Sequence, residues 1–519
     1  MRKRGARWAW CCTLIPRTTV RSQRQTVSSL SQAGRQDHLQ ELKGEQDFHG
    51  GWLPKIPCIP VSTTDAIHLL RVLNTHGPLA ADLSDRWHGG ALDFYGVNYN
   101  VGPSPSDVSI HLVNQGTLHN GSVHNVIATI PGTIADDGIV IIGNHRDAWG
   151  PGAGDPNSGS AALNEVVRSF GVALKSGWRP RRTIIFASWE GEEFGQIGSL
   201  PWIRENLGWL RDSAVAYLNV VVAASGMVFR AKGSPLLYKV VDYATDLVIS
   251  PNQTIANQSV SDVWGGKIGT AGGGDAIRFQ GLPCVATVDF GFMPGLGVES
   301  GVFPYHTGFD TFDWMDRVGD PEWKYHITSA KIWSLMTARL AQSQVLDMSV
   351  TDYAIAIRNW VDDLDQMWPS RINLSALYNA IERLARAASV FDAHAESLRA
   401  PTKPCWKIWS TNQRDGAIRQ VNKVYIDFER KFFYGPGFDD NPSLHHVMIT
   451  PKFGGSKSDQ RRGEKLFLPP KNLQPNPTWH LYVIDSIAYQ NKRWRDIIIQ
   501  KIDDATHLLD EQHLIWNEL

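Results

Sequence analysis

Two segments of this chain, GIVIIG at residues 138–143 and TIIFAS at 183–188, run apolar without alternation. A strand with one face in water alternates apolar and polar residues, so unbroken runs point to strands covered on both faces, as in a mainly parallel sheet with helices on either side. Residues 158–175 between them read as a helix. VAYLNVVVAAS at 215–225 and PCVATVDFG at 283–291 supply further strands, each preceded by helical sequence, and VSIHLV at 108–113 and VHNVIATI at 123–130 read as strands ahead of the first run. The pattern predicts an α/β fold with a mixed, mainly parallel sheet flanked by helices.

A length of 519 residues exceeds the ~250 to 300 at which single cores stop growing, so two or three folded units are expected. After about Pro321 the strands give way to amphipathic segments at 322–344, 353–368, 374–398 and 483–509, with apolar residues such as Leu374, Leu377, Ile381, Leu384 and Ala388 at three- and four-residue spacing. That places a helical domain at 349–519. At the other end, order is expected to begin near Pro54, followed by a helix capped by Ser62, Thr63 or Thr64. The first 36 residues hold many Arg and Ser and no acidic residue, the composition of a transit segment, a disordered basic arm or a non-native start. Residues 1–50 are therefore left out of the fold.

A formal charge of −1 with 20% charged residues gives no basic surface for a nucleic acid. No uninterrupted apolar run approaches the ~18 to 20 residues of a membrane span. The five cysteines are scattered without a CxxC pair, which points to neither a thiolate metal site nor a disulfide framework.

In open α/β sheets functional groups collect beyond the carboxyl ends of the strands. The first apolar run leads into Asn144, His145, Arg146 and Asp147, and a glycine-rich loop then delivers Asp155 ahead of a helix. The second leads into WEGEEFG with Glu192 and Glu193, and a later loop, FPYHTGFDTF, supplies Tyr305 and His306. Imidazole and carboxylate are the ligands of a zinc hydrolase, which keeps a position open for water or substrate. His145, Asp155, Glu193 and His306 fit that chemistry, with Asp147 placed to hold the His145 tautomer and Glu192 to take a proton. Taken singly, each motif fits an ordinary histidine or a solvated acidic turn better than a ligand. Their shared position and order carry the reading.

The runs NHRDAWGPGAGDPNSGSAALNEVVRSFG, GWRPRRTIIFASWEGEEFGQIGS and YHTGFDTFDWM together resemble the peptidase domain of zinc exopeptidases of the glutamate carboxypeptidase II type and their fungal relatives, within the transferrin receptor-like superfamily. The resemblance covers roughly residues 54–350, and FERKFFYGPGFDD and HHVMITP are similar to the helical dimerisation domain of that superfamily. It implies a zinc peptidase domain at 107–348, a remnant of a protease-associated domain within 51–106, a homodimer through 349–519, and a secretory, vacuolar or membrane-associated setting. It implies two zinc ions bridged by Asp155, one completed by Glu193 and His306 and the other by His145 and an aspartate. Glu192 falls on the general base, Tyr305 on a group that polarises the scissile carbonyl, and Lys452 on a substrate-carboxylate contact.

Three departures alter that expectation. Where the family reads Asn-x-Asp, this chain reads Asn219-Val220-Val221, so one zinc loses a ligand and one zinc is expected in place of two. The glutamates of a structural calcium site are replaced in residues 198–204, so no calcium is expected there, and the arginines that bind acidic side chains have no counterpart in GLPCVATVDFG. Most of the protease-associated domain and the membrane anchor are missing, which implies a shortened gene model or isoform. The expected function is a zinc-dependent carboxypeptidase or aminopeptidase acting through metal-activated water. The alternatives are a catalytically inactive binding or structural homologue, favoured by Val221, and a single-zinc acyltransferase of the glutaminyl cyclase kind.

Overall fold

The computed structural model of the protein describes residues 59–511 apart from 84–86, 89, 91, 115–120, 270–272, 296–301, 368–372, 400–407, 438–444, 449–492 and 494. The basic segment at the start and Lys452 lie outside the described residues. The chain divides into two compact units, one ending at Val123 and one beginning at His124. In the first, Ser62 caps the helix Thr63–Arg71 by accepting the Asp65 N–H at 3.0 Å. The segment 108–113, expected as a strand, is not one: its residues have no ladder partner among the described residues, and β-propensity without a neighbouring strand does not make a strand.

The second unit is built on a seven-stranded sheet: β1 Val126–Ile130, β2 Ile139–His145, β3 Thr183–Trp189, β4 Ala214–Asn219, β5 Val228–Gly233, β6 Ile268–Gly269 and β7 Thr287–Met293. Its spatial order is β1-β3-β2-β4-β7-β5-β6. The centre β3-β2-β4-β7 is parallel throughout, and antiparallel pairs occur where β1 meets β3 and β5 meets β7. β5 and β6 were not foreseen. VFRAKG alternates charged and apolar residues in the half-buried pattern of a strand away from the centre, a signal weaker than the continuous runs.

All seven residues of β2 are buried, and successive side chains enter different cores. Val140 and Ile142 pack with the helices Asn157–Lys175, Tyr238–Leu247 and Lys324–Gln342. Ile139 and Ile141 join Trp189, Tyr217, Leu210 and Phe279 on the opposite face. Burial of an aliphatic side chain of this size stabilises by ~1.5 to 3 kcal/mol, so the central strands fix where their carboxyl ends lie. At the amino end of β3, fully buried Arg182 donates to the carbonyls of Asp137, Leu340 and Ser343, pinning the last turn of Lys324–Gln342.

Beyond residue 349 the helices Val350–Met367, Ser375–Arg399 and Ile408–Arg430 pack in sequence, and residues 495–511 are helical as well. Leu374, Leu377, Ile381, Leu384 and Ala388 are buried, as their spacing predicts. Ile408–Arg430 was not among the expected helices. Its apolar residues Ile418, Val421, Val424, Tyr425 and Phe428 sit in the second half, behind a polar first half containing Gly416. Among the described residues no helix is long and apolar enough to cross a membrane.

Candidate metal centre

The parallel centre brings the ends of β2, β3 and β4 together, and the sequence-derived candidates gather there. His145 is the last residue of β2 and is almost wholly buried. Neighbouring Asn144 locks this strand end: its Nδ2 donates to the Val220 carbonyl at 2.9 Å and its Oδ1 accepts from Ser160 at 2.6 Å. The loop after β2 carries Asp155 to the start of Asn157–Lys175, where Ser158 donates to the Gly154 carbonyl at 2.6 Å. β3 ends at Trp189, and the turn beyond it presents Glu192 and Glu193.

Asp147 organises that turn. Its two carboxylate oxygens accept the backbone N–H groups of Glu192 and Glu193 at 3.0 and 3.1 Å. His145 Nδ1 lies 3.0 Å from the Asp147 backbone carbonyl and 3.5 Å from its carboxylate, so the ring's hydrogen-bond partner is the carbonyl. That contact turns Nε2 toward Asp155 Oδ1 at 3.4 Å and Glu192 Oε2 at 3.9 Å. His306 arrives from a different loop with φ of 55°, a left-handed conformation that costs a non-glycine residue roughly 1 to 2 kcal/mol. Its Nε2 stands 3.1 Å from both Asp155 Oδ2 and Glu193 Oε1. Tyr305 stacks on the His306 ring, centroids 3.7 Å apart.

Asp155, Glu193 and His306 each offer one ligand atom, and these lie within 4.8 Å of one another. Buried His145 Nε2, Asp155 Oδ1, Glu193 Oε1 and His306 Nε2 make no hydrogen bond, although burying such a group without one costs about 1 to 3 kcal/mol. Two carboxylates and an imidazole that converge, each residue also carrying an orphaned atom, match the donor set of a zinc site with an open position. The charges agree. Burial opposes a proton on either histidine, but Asp147 and Asp155 lift His145 well above its ordinary range, and Asp155 and Glu193 raise His306 to about 9. The cluster draws in positive charge. Burial pushes the Glu192 carboxyl up, with the His145 field opposing it and Asp275 adding to it. Burial also raises the Tyr305 hydroxyl, so it keeps its proton.

Val221 follows the end of β4, and its N–H points to Asp289 Oδ1 at 3.4 Å. Its Cγ2 lies 2.7 Å from the point where a Cβ on Gly274 would sit, and that point is 3.7 Å from Glu192 Oε1. An apolar side chain thus stands near Glu192.

The sequence places this site within a known group. The model of peptidase family M28 matches residues 125–325, and that of the transferrin receptor-like dimerisation domain matches 372–467. This chain contains a peptidase family M28 domain. The M28 chain is 33% identical over 433 residues to a protein of Arabidopsis thaliana named "Probable glutamate carboxypeptidase LAMP1", covering 81% of this chain and 58% of that one. It is 34% identical over 400 residues to a "Probable glutamate carboxypeptidase" of Arthroderma benhamiae, covering 76% and 53%. Aminopeptidase NAALADL1 of Rattus norvegicus is 33% identical over 430 residues, covering 77% and 55%. The chain spans a little over half the length of these curated relatives.

Around the M28 cluster stand residues that the motifs alone did not single out. Asp310 accepts the backbone N–H groups of Gly154 and Asp155 at 2.7 and 3.0 Å. Its only signal in the sequence is its place four residues after His306. Gln196 donates to Glu192 Oε1, and buried Asp275 accepts from Ser199 Oγ, both at 2.5 Å.

Proposed function

We propose that this M28 chain is a zinc-dependent exopeptidase that binds one zinc ion through Asp155, Glu193 and His306. The convergence of three ligand groups, each residue with a buried atom left without a hydrogen bond, carries the reading. Zinc bound there supplies a Lewis acid that activates water and polarises a carbonyl. Glu192 is the general base: one oxygen is tied to Gln196 and the other faces the cluster, and burial raises its affinity for a proton. Tyr305, protonated and stacked against His306, donates a hydrogen bond to the oxygen on which negative charge develops. Asp147 positions Glu192 and Glu193 through their backbone.

The substrate is a peptide, and the absence of arginines from the segment 281–291 argues against one with an acidic side chain. The match to the dimerisation domain supports a homodimer through the C-terminal helices, testable by light scattering. Val221 supports a second reading, a homologue that keeps the fold and the dimer and has lost hydrolysis. Metal analysis with Glu192→Gln separates the two. A peptidase holds one zinc per chain and loses hydrolysis in the variant with its zinc retained, whereas zinc-free protein, or equal hydrolysis by both forms, defeats the enzyme reading.

A further inference from the structure

Gln196 lies four residues after Glu192, buried and with φ of 59°. A left-handed conformation at a buried, non-glycine residue persists only where its surroundings hold it. The hold is visible at both ends of the side chain. Arg278 Nε donates to Gln196 Oε1 at 3.0 Å, and Arg278 Nη2 reaches the Gly195 carbonyl at 3.4 Å. A guanidinium only donates, so the amide atom facing it is oxygen. The amide nitrogen therefore faces Glu192 Oε1, at 2.5 Å. With Oε1 engaged, Glu192 turns Oε2 toward His145 Nε2, 3.9 Å away.

We infer that Gln196, oriented by Arg278, is a positioning residue that fixes the rotamer of the Glu192 carboxylate so that one defined oxygen serves as the proton acceptor. This rests on the peptidase reading for its catalytic consequence and on geometry alone for the coupling. Arg278 sits in the helix Ala276–Gly281, on a separate loop from Glu192, so the device ties the base to the far side of the turn. Replacing Gln196 by leucine removes the donor and frees the carboxylate to rotate. Replacing Arg278 by methionine removes the anchor on the amide oxygen and frees the amide to swing away from the carboxylate.

The test uses the full chain with zinc and a mixed dipeptide library scored by released amino acids, followed by steady-state kinetics on the dipeptide cleaved fastest. Gln196→Leu and Arg278→Met are expected to lower kcat about 10- to 100-fold, a fraction of what general-base catalysis contributes, with KM and zinc content unchanged. Arg278→Lys recovers part of the loss. Unchanged kcat, or a fall that follows loss of zinc, overturns the inference. A melting-temperature cycle supplies a readout without activity: Gln196→Leu destabilises the parent more than it destabilises Glu192→Leu, and equal shifts overturn the coupling. If the parent hydrolyses nothing, the peptidase reading fails, and the melting cycle alone decides whether Gln196 holds Glu192.

Discussion

Asp310 holds Asp155 by the backbone, accepting its N–H at 3.0 Å through Oδ2 while Oδ1 takes the N–H of Gly154 at 2.7 Å. The Asp155 side chain is thereby aimed without being touched. Asp310→Ala leaves two buried donors unpaired, at about 1 to 3 kcal/mol each, and loosens the residue that faces both histidines. Zinc affinity, measured by competition with a chromophoric chelator, is expected to fall ~10- to 100-fold, the usual effect of losing a group that supports a ligand. Asp310→Asn, which keeps an accepting oxygen, falls less.

Val221 is the second point of leverage. Val221→Asp adds a carboxylate close to Glu192. The expected outcome is a rise from one zinc per chain to two by elemental analysis. Val221→Asn, similar in size but uncharged, stays at one. An unchanged stoichiometry in Val221→Asp would show that His145 is not arranged to share a metal.

Stability at the amino ends of β2 and β3 depends on Arg182. Its guanidinium pairs with Asp137 at 3.0 Å and donates to the carbonyls that end Lys324–Gln342. Arg182→Met removes one partner of a buried pair and leaves those carbonyls bare, and removal of such a partner costs ~3 to 5 kcal/mol. Asp137 keeps Arg181 at 2.5 Å, which puts the loss toward the lower figure. Thermal melting monitored by circular dichroism checks it.

The pH dependence of stability is testable at Asp242, whose carboxyl is raised by burial and then by Asp246 and Asp352. A raised acid disfavours its charged form in the fold. The cost is therefore absent below the unfolded value near 3.8 and fully developed above the folded one. Asp242→Asn is expected to raise the melting temperature at pH 7 and to leave it unchanged at pH 3.5. Relief of the like-charged pair with Asp246 alone is worth ~0.2 to 0.5 kcal/mol. A pH-independent shift would assign the gain to packing.

The gathering of Asp155 and Glu193 was legible in the sequence because the loops that carry them follow strands that composition alone marks as buried on both faces, whereas His306 comes from a later loop. A continuous run such as 138–143 fixes both the strand and the end at which its successor His145 emerges. The supporting residues were not legible. Asp310, Gln196 and Arg278 act through the approach of loops from different strands, and nothing local in FDTF or DAIRFQG distinguishes a residue that grips a neighbouring turn from a solvated one. Residues 108–113 show the converse error, a strand-like composition without a partner. Ile408–Arg430 was overlooked because its polar first half masks the apolar spacing that follows. Asp147 was placed by its spacing from His145, yet its carboxylate grips the Glu192 and Glu193 backbone.

The three groups that converge here stand at positions 155, 193 and 306, and the β4 and β7 strands lie between the last two in the chain. A ribosome making this protein releases the first two long before the third, so no nascent fragment ending ahead of His306 holds a complete ligand set. Ion capture by the proposed set would then wait until all three have been made, and closing contacts this distant in sequence carries a large loop-closure cost. For a cell short of zinc, the product would be a folded scaffold awaiting its cation, ready to be loaded without refolding.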